Sequence, residues 1–206
     1  MYKTISEKGE FEQVINKSTF IATAFPISCD EEATAFIQAE RKKHPDARHV
    51  CWAYILGEKK DVMRYSDDGE PQGTAGQPIL QVLVKKDITN VLVTVTRYFG
   101  GILLGAGGLT RAYSSSCASA VDNAGVKVMM LSSISQVSLD YTTYNRLQKT
   151  IENSDYIITK NIEYGENVTL TLIVKVEDVE KLSDYFIQST GGKATLNETE
   201  KLFLPW

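Results

Sequence analysis

The chain has 206 residues, of which 43% are hydrophobic and 23% are charged, and its formal net charge is −4. This composition is typical of an ordinary soluble globular protein, and the length suffices for one large domain or two small ones. The net negative charge argues against indiscriminate binding to polyanions, but it is compatible with a local basic site.

The cysteines and the apolar runs predict a cytoplasmic protein without a membrane partner. Cys29, Cys51 and Cys117 lie far apart and form no Cys-x-x-Cys pair, which argues against a disulfide framework and a structural zinc site. No apolar run approaches the roughly 20 residues needed to cross a bilayer. The first seven residues lack the apolar core of a signal peptide.

The first part of the chain predicts an α/β layer sandwich, because strands and helices follow one another without strict alternation. Residues 47–56 have two apolar faces, which is typical of an inner strand. Ser28 and Glu31 have the spacing of a capping box at a helix start. The other predicted elements are strands over 20–25, 62–65, 91–95 and 126–130, a helix from Pro78 (a strand is the competing interpretation), and a helix over 109–124 that ends at Gly125.

The remainder of the chain predicts the order β-α-β-β-α-β, which is the ferredoxin-like unit. Its elements are a strand over 137–141, a helix with apolar residues at 144, 147 and 151, a hairpin of 156–164 and 168–176, a helix through Leu182, and a last strand over 194–204. We therefore predict an α+β protein with a domain of residues 1–133 and a smaller domain of residues 134–206.

A glycine-rich loop joins a predicted buried strand to the longest predicted helix. Its glycines are Gly100, Gly101, Gly105, Gly107 and Gly108. Glycine is needed where φ is positive or where the backbone approaches another group closely. Free N–H groups and the positive end of a helix dipole suit an anion here, with Arg97 or Arg111 as the cation.

The loop matches neither the Walker A pattern nor the dinucleotide fingerprint, so only a generic anion site is predicted. In the alternative, the glycines merely permit a tight crossing from strand to helix. Arg97 and Arg111 then pair with the acids of a second loop, residues 66–78.

This second loop is also rich in turn-forming residues and carries Asp67, Asp68 and Glu70. Three carboxylates could hold Mg²⁺ or act as general acid and base. Their spacing differs from the calcium-loop pattern, however, and the segment is a good turn sequence. We therefore favour a structural or partner-binding role.

His49 and Cys51 lie two residues apart on one face of a predicted strand, as the members of a nucleophilic pair would. No family-type signature surrounds them, and a buried cysteine is usually a small hydrophobic residue. The pattern therefore favours a core cysteine over a catalytic one.

Arginines next to aromatic residues offer planes on which unpaired bases can stack. They are Arg64, Arg97 and Arg111, beside Tyr65, Tyr98, Phe99 and Tyr113. Because aromatic residues next to a buried strand more often belong to the core, this signal alone is weak.

Three segments, 47–54, 66–76 and 97–113, closely resemble the hallmark motifs of the IMPACT/YigZ family and occur in the same order. The resemblance implies a first domain with the ribosomal protein S5 domain 2-like fold, similar to domain IV of elongation factor G. It also implies a ferredoxin-like second domain similar to domain V of that factor. Eukaryotic relatives regulate translation initiation by competing for the activator of an amino-acid-starvation kinase.

We predict a cytoplasmic, translation-linked regulatory protein that binds RNA, the ribosome or a translation-associated protein, without a cofactor, a catalytic residue or a metal site, and with no DNA partner. The candidate binding residues are Arg64, Arg97, Tyr98, Gly100, Gly101, Gly105, Gly107, Gly108, Thr110, Arg111 and Tyr113. The candidate residues of the second loop are Asp67, Asp68, Glu70, Gly73, Thr74 and Gly76. The alternative is a hydrolase or transferase for a small phosphorylated substrate, with the three acids holding a metal.

Overall fold

The computed structural model describes all 206 residues, which form two compact units, 2–128 and 129–206. The two sheets are antiparallel and five α-helices accompany them, so the predicted α+β fold class is confirmed. The predicted domain division between 133 and 134 falls a few residues after the observed one.

The first unit is built on a five-stranded antiparallel sheet. Its elements are β1 (Tyr2–Ile5), β2 (Gly9–Ile15), β3 (Ser18–Pro26), α1 (Asp30–Lys43), β4 (His49–Leu56), β5 (Val62–Ser66), α2 (Gly76–Lys85), β6 (Val91–Tyr98) and α3 (Gly105–Ala124). The sheet has the order β2-β3-β6-β4-β5. Cys51, Ala53 and Ile55 on β4 belong to the core beneath α2 and α3, whereas Tyr54 and Leu56 pack with α1. Both faces of β4 are thus covered, and the inner-strand prediction is confirmed.

The sequence pattern predicts no strand before residue 20, but β2 and β3 form a hairpin there. Its two turn residues, Asn16 and Lys17, have φ angles of 46° and 63°. Two positive φ angles define a type I′ turn, whose twist matches that of paired strands. The strand signal of β2 is weak because it is an edge strand whose outward positions include Glu10 and Glu12.

Two helices begin earlier than the sequence pattern predicts. Helix α3 begins at Gly105 rather than at residue 109. Residues 105–108 form its first turn although they are three glycines and an alanine, which give no apolar helical pattern. Helix α2 begins at Gly76, so Pro78 is its third residue. Pro78 is tolerated there because the first N–H groups of a helix have no intrahelical acceptor. The helical interpretation of this segment is confirmed and the competing strand is wrong.

The start of α1 also differs from the prediction, because no capping box links Ser28 and Glu31. Instead, the Glu32 carboxylate accepts hydrogen bonds from the Ser28 backbone N–H at 2.6 Å and from its hydroxyl at 2.9 Å. The acidic side chain that returns to the helix start therefore lies one residue later than the usual spacing.

One long strand, β7 (Val126–Leu139), replaces the two predicted strands over 126–130 and 137–141. Three serines separate the apolar segments in the sequence and hide this continuity. Ser132, Ser133 and Ser135 are nevertheless fully buried within the strand. The predicted domain division falls inside β7 for the same reason.

The second unit has the predicted order β-α-β-β-α-β. After β7 it contains α4 (Tyr141–Glu152), β8 (Ile158–Tyr164), β9 (Val168–Lys175), α5 (Val179–Thr190) and β10 (Asn197–Pro205). Its strands lie in the order β10-β7-β9-β8, and all of their pairings are antiparallel. Leu170 and Leu172 of β9 are buried against Leu182 and Phe186 of α5, which forms a separate core.

Candidate nucleic-acid interface

Both motif loops line one cleft of about 400 Å³ in the first unit. Its walls are Arg48, His49, Gly69, Glu70, Pro71, Arg97, Phe99, Leu103, Leu104, Gly105, Ala106 and Leu109. The loop between β5 and α2 and the loop between β6 and α3 thus form a single site.

The sheet positions this cleft, because β4 and β6 are neighbours and His49 pairs in register with Arg97. From this end of β6 the chain enters the glycine-rich loop. Gly100 packs so tightly that an added Cβ would lie 2.0 Å from the carbonyl of Lys17. Gly101 and Gly105 have φ angles of +82° and +69°, which favour glycine. The loop is therefore anchored at Gly100 and turns outward beyond it.

The start of α3 is open to solvent. The N-cap residue, Leu104, makes no side-chain cap, and the first turn contains no acidic residue. An added Cβ at Gly105 or Gly107 would meet nothing within 4 Å. The first N–H groups of a helix need acceptors from outside it, and the positive end of its dipole favours an anion. This end of α3 is therefore available to an anionic ligand.

A buried polar cluster forms the floor of the cleft. Arg97 is 5% exposed, and its Nη1 donates to Oε1 of Glu70 at 2.7 Å. Tyr113, which is fully buried, donates from its hydroxyl to the same oxygen at 2.8 Å. Burial, with the nearby Cys51 thiol and Glu70 carboxylate, raises the pKa of Tyr113, so the phenol stays protonated and remains a donor.

Two predicted binding roles are therefore wrong. Arg97 cannot meet a phosphate as a free cation, because its charge is paired with Glu70 inside the protein. Tyr113 cannot stack on a base, because its ring packs edge-on against Phe20 with no exposed surface. For Arg97, the alternative in which the arginine pairs with an acid of the second loop is confirmed.

The acids of the second loop also form internal hydrogen bonds. Asp67 accepts from the backbone N–H groups of Gly73 at 2.8 Å, Ala75 at 3.0 Å and Gly76 at 2.8 Å, and so caps the start of α2. The hydroxyl of Thr74 donates to the carbonyl of Pro71 at 2.7 Å. The hydrogen bonds of Asp67 and Thr74 therefore stabilise the start of α2.

Asp68 joins the same loop to two neighbouring elements. Its carboxylate accepts from the backbone N–H of Val50 at 2.7 Å and forms an ion pair with Arg41. Nowhere in the structure do three or more His, Cys, Asp or Glu side chains form a group that could hold a metal ion. Asp67, Asp68 and Glu70 instead each accept hydrogen bonds from different groups of the protein.

The catalytic pairing of His49 with Cys51 is not present. Nδ1 of His49 lies 2.8 Å from the carbonyl oxygen of Asp68, which can only accept, so this nitrogen carries the proton. Cys51 is fully buried, its thiol lies 3.0 Å from the carbonyl of Asp67, and burial raises its pKa. It is the core cysteine that the sequence favours.

Two further candidates lie outside the cleft. Tyr98 is half-buried, and its hydroxyl hydrogen-bonds to Nδ1 of His44 at 2.9 Å. Arg64 forms an ion pair with Asp30 and pairs in register with Tyr54, five residues along β4 from the cleft, or about 16 Å. The structure does not bring Arg64 together with the glycine-rich loop.

Cations without internal partners surround the loop. Arg48 lines the cleft and Arg111 lines an adjoining hollow of about 710 Å³, and Leu104 contributes to both cavities. Both arginines are exposed, and neither has a partner within the chain. Gly108 and Thr110 line the same hollow as Arg111. Lys17 is also exposed, directly beside Gly100.

Three residues of this surface, Lys17, Arg48 and Leu103, are not identified from the sequence, and Phe99 is named there only as a possible stacking plane. Phe99 is 43% exposed and Leu103 is 85% exposed. The guanidinium of Arg97 lies 5.4 Å from the centre of the Phe99 ring. We call Lys17, Arg48, Phe99, residues 101–107 and Arg111 the glycine-loop face.

The chain matches two family models, the Impact N-terminal domain over residues 16–121 and a domain of unknown function, DUF1949, over residues 137–193. It is 40% identical to the IMPACT family member YvyE of Bacillus subtilis, across 98% of this chain and 93% of that protein. It is 33% identical to human Protein IMPACT, across 43% of this chain and 29% of that protein.

Solved structures match as well. A crystal structure of a hypothetical protein aligns over 97% of both chains with a TM-score of 0.60 and 29% identity. A structure described as the two-domain translational regulator Yih1 is 28% identical over 60% of this chain and 47% of that one, with a TM-score of 0.36. None of the helices is long and apolar enough to span a membrane.

Proposed function

This chain belongs to the IMPACT family, and we propose that it is a cytoplasmic protein that regulates translation by binding RNA of the ribosome through the glycine-loop face. The open start of α3 beside unpaired arginines carries the proposal. The link to translation comes from the family resemblance, and the choice of RNA comes from the chemistry of this face.

Backbone phosphates are the anions that this face suits best. The open N–H groups of α3 can donate hydrogen bonds to a phosphate oxygen, while Arg48 and Arg111 neutralise phosphates on either side of Leu104. A protein with net charge −4 binds such a polyanion only where its cations are concentrated and free of internal acids. Arg48 and Arg111 satisfy that condition and Arg97 does not.

An exposed aromatic ring adds a contact for unpaired bases. Phe99 lines the cleft with an exposed ring, and the guanidinium of Arg97 lies 5.4 Å from the centre of that ring. Stacking on a base contributes about 1–3 kcal/mol and depends little on sequence. Among the aromatic residues that lie beside the arginines in the sequence, Phe99 is therefore the one proposed to stack on a base.

The proposal is tested by cosedimentation with ribosomes at several salt concentrations. Replacing Arg48 and Arg111 with alanine together should weaken binding and lower the slope of log K against log salt by about 1.4, since each phosphate contact to a single strand contributes about 0.7. A matched control replaces Lys59 and Lys85 with alanine, because both lysines are also exposed and neither lines the cleft.

The control variant has the same net charge as the arginine variant, so the comparison separates the site from the overall charge. Equal loss of binding in both variants would contradict the proposal. Absence of ribosome binding by the unaltered chain at low salt would contradict it as well.

A further inference from the structure

The tip of the glycine-rich loop exposes apolar side chains that the fold does not use. Leu103 is 85% exposed, which is the largest value among the large apolar side chains of the chain, and Ile102 and Phe99 are exposed beside it. Single exposed apolar residues are common on protein surfaces, but several in one short segment mark a surface that a partner covers. The tip is therefore a contact surface.

The backbone holds this tip away from the core. Gly101 and Gly105 have positive φ angles on either side of it. Between these two glycines, Leu104 packs against the core of the first unit, whereas its neighbour Leu103 extends into solvent. Two adjacent leucines thus have opposite environments, and the exposed one stands on a segment that the other fixes to the fold.

The surroundings of the tip favour RNA over a membrane. Arg48 lines the cleft to which Leu103 also contributes, and Arg111 lines the hollow next to it. Neither cavity has an exposed acidic residue in its walls, because Glu70 is buried. The two arginines suit phosphates, and the cleft offers the Phe99 ring to one unpaired base. A flat bilayer would leave the cleft unfilled.

We propose that Leu103, with Ile102 beside it, is an apolar wedge that packs on the last base pair of an RNA stem, at the point where the stem opens into a single strand. Apolar side chains can insert at a base step and take the place of a stacked neighbour. The first unpaired base then leaves the stack and lies in the cleft against Phe99. The RNA that is bound is thus a junction of stem and single strand.

This inference rests on the proposed function and adds the shape of the RNA. A plain single strand supplies phosphates for the arginines and a base for Phe99, but it has no base pair on which Leu103 can pack. A blunt stem has a terminal base pair but no unpaired base for Phe99. Because only the junction supplies both contacts, we expect it to bind more tightly than either of its parts.

The test uses the full chain and three RNAs: a stem with a single-stranded overhang, the same stem with a blunt end, and the overhang alone. Fluorescence anisotropy should show at least about tenfold tighter binding of the first RNA than of either part, because burial of a leucine side chain stabilises a complex by roughly that ratio or more. Equal binding of either part would overturn the wedge but leave the proposed function intact. Failure of all three RNAs to bind would overturn both.

A pair of variants tests the wedge itself. Leu103→Ala should remove most of the preference for the stem with an overhang, whereas Leu131→Ala makes the same substitution at an exposed leucine of the second unit and should keep it. Both side chains are exposed, so both variants should fold. An unchanged preference in Leu103→Ala would overturn the proposal. Binding to vesicles of phosphatidylserine and phosphatidylcholine that depends on Leu103, without a preference among the RNAs, would overturn it as well.

Discussion

The two loops that line the cleft are both rich in turn-forming residues, but they use that composition differently. In the loop of residues 66–78, Asp67 and Asp68 form hydrogen bonds to backbone groups, and Glu70 is paired with Arg97. In the glycine-rich loop, Leu104 caps nothing and the side chain of Leu103 is 85% exposed. A loop whose polar groups are satisfied within the chain supports the fold, whereas one whose groups remain open is available for binding.

The sharpest test of this comparison makes the same substitution at one arginine from each environment. Arg97→Met leaves the Glu70 carboxylate buried without its cation, so it should lower the free energy of unfolding by about 3–5 kcal/mol. Arg111→Met removes an exposed side chain without an internal partner and should change it by less than about 0.5 kcal/mol. Urea denaturation measures both, and a similar loss in the two variants would contradict the comparison.

Two glycines of the glycine-rich loop should also differ. Gly100→Ala forces a methyl group against the Lys17 backbone and should cost about 1–3 kcal/mol through overpacking. Gly107→Ala lies within α3 with open space around it and should stabilise the protein by about 0.5–1 kcal/mol. The two melting temperatures should therefore move in opposite directions. A rise in both would show that the loop is not anchored at Gly100.

Removal of the α2 cap should have a smaller effect than loss of the buried ion pair. Asp67→Ala leaves three backbone N–H groups without their acceptor and should cost about 1–2 kcal/mol. Asp67→Asn keeps an acceptor and should cost less. Thermal unfolding of the two variants gives the order, and an unchanged melting temperature for Asp67→Ala would refute the capping role.

The smallest expected effect on stability is at the tip of the glycine-rich loop. Leu103→Ala should change the free energy of unfolding by less than about 0.5 kcal/mol, because the side chain is almost fully solvated. RNA affinity measured on the same sample should fall, since Leu103 lines the cleft. A large loss of stability would place Leu103 among the supporting residues instead.

Much of the fold follows from the sequence because its elements are locally consistent. The alternation along β4 and the order of elements in the second unit are confirmed, since apolar periodicity determines both. The pattern fails at β2 and across Ser132 and Ser133. In both places the burial of a side chain depends on which strand pairs with its own. A short stretch of sequence does not show which strands pair.

Only part of the site can be predicted from the sequence, because its contacts also join residues that are distant along the chain. The sequence identifies both loops and includes an ion pair between Arg97 and an acid of the second loop as one alternative. It does not show whether the partner is Asp67, Asp68 or Glu70. That choice depends on the packing of β6 and α3 against the loop, which places Tyr113 and Arg97 around one carboxylate. Arg48 is missed because nothing local distinguishes an exposed arginine without a partner from one with a partner.

The most direct test of the central claim is an amide NMR titration with single-stranded RNA. We expect the N–H resonances of Gly105, Ala106 and Gly107 to shift, because these groups are open at the start of α3. Those of Gly73 and Gly76 should remain in place, because Asp67 already accepts from them. Shifts confined to Gly73 and Gly76, or to residues 129–206, would contradict the account.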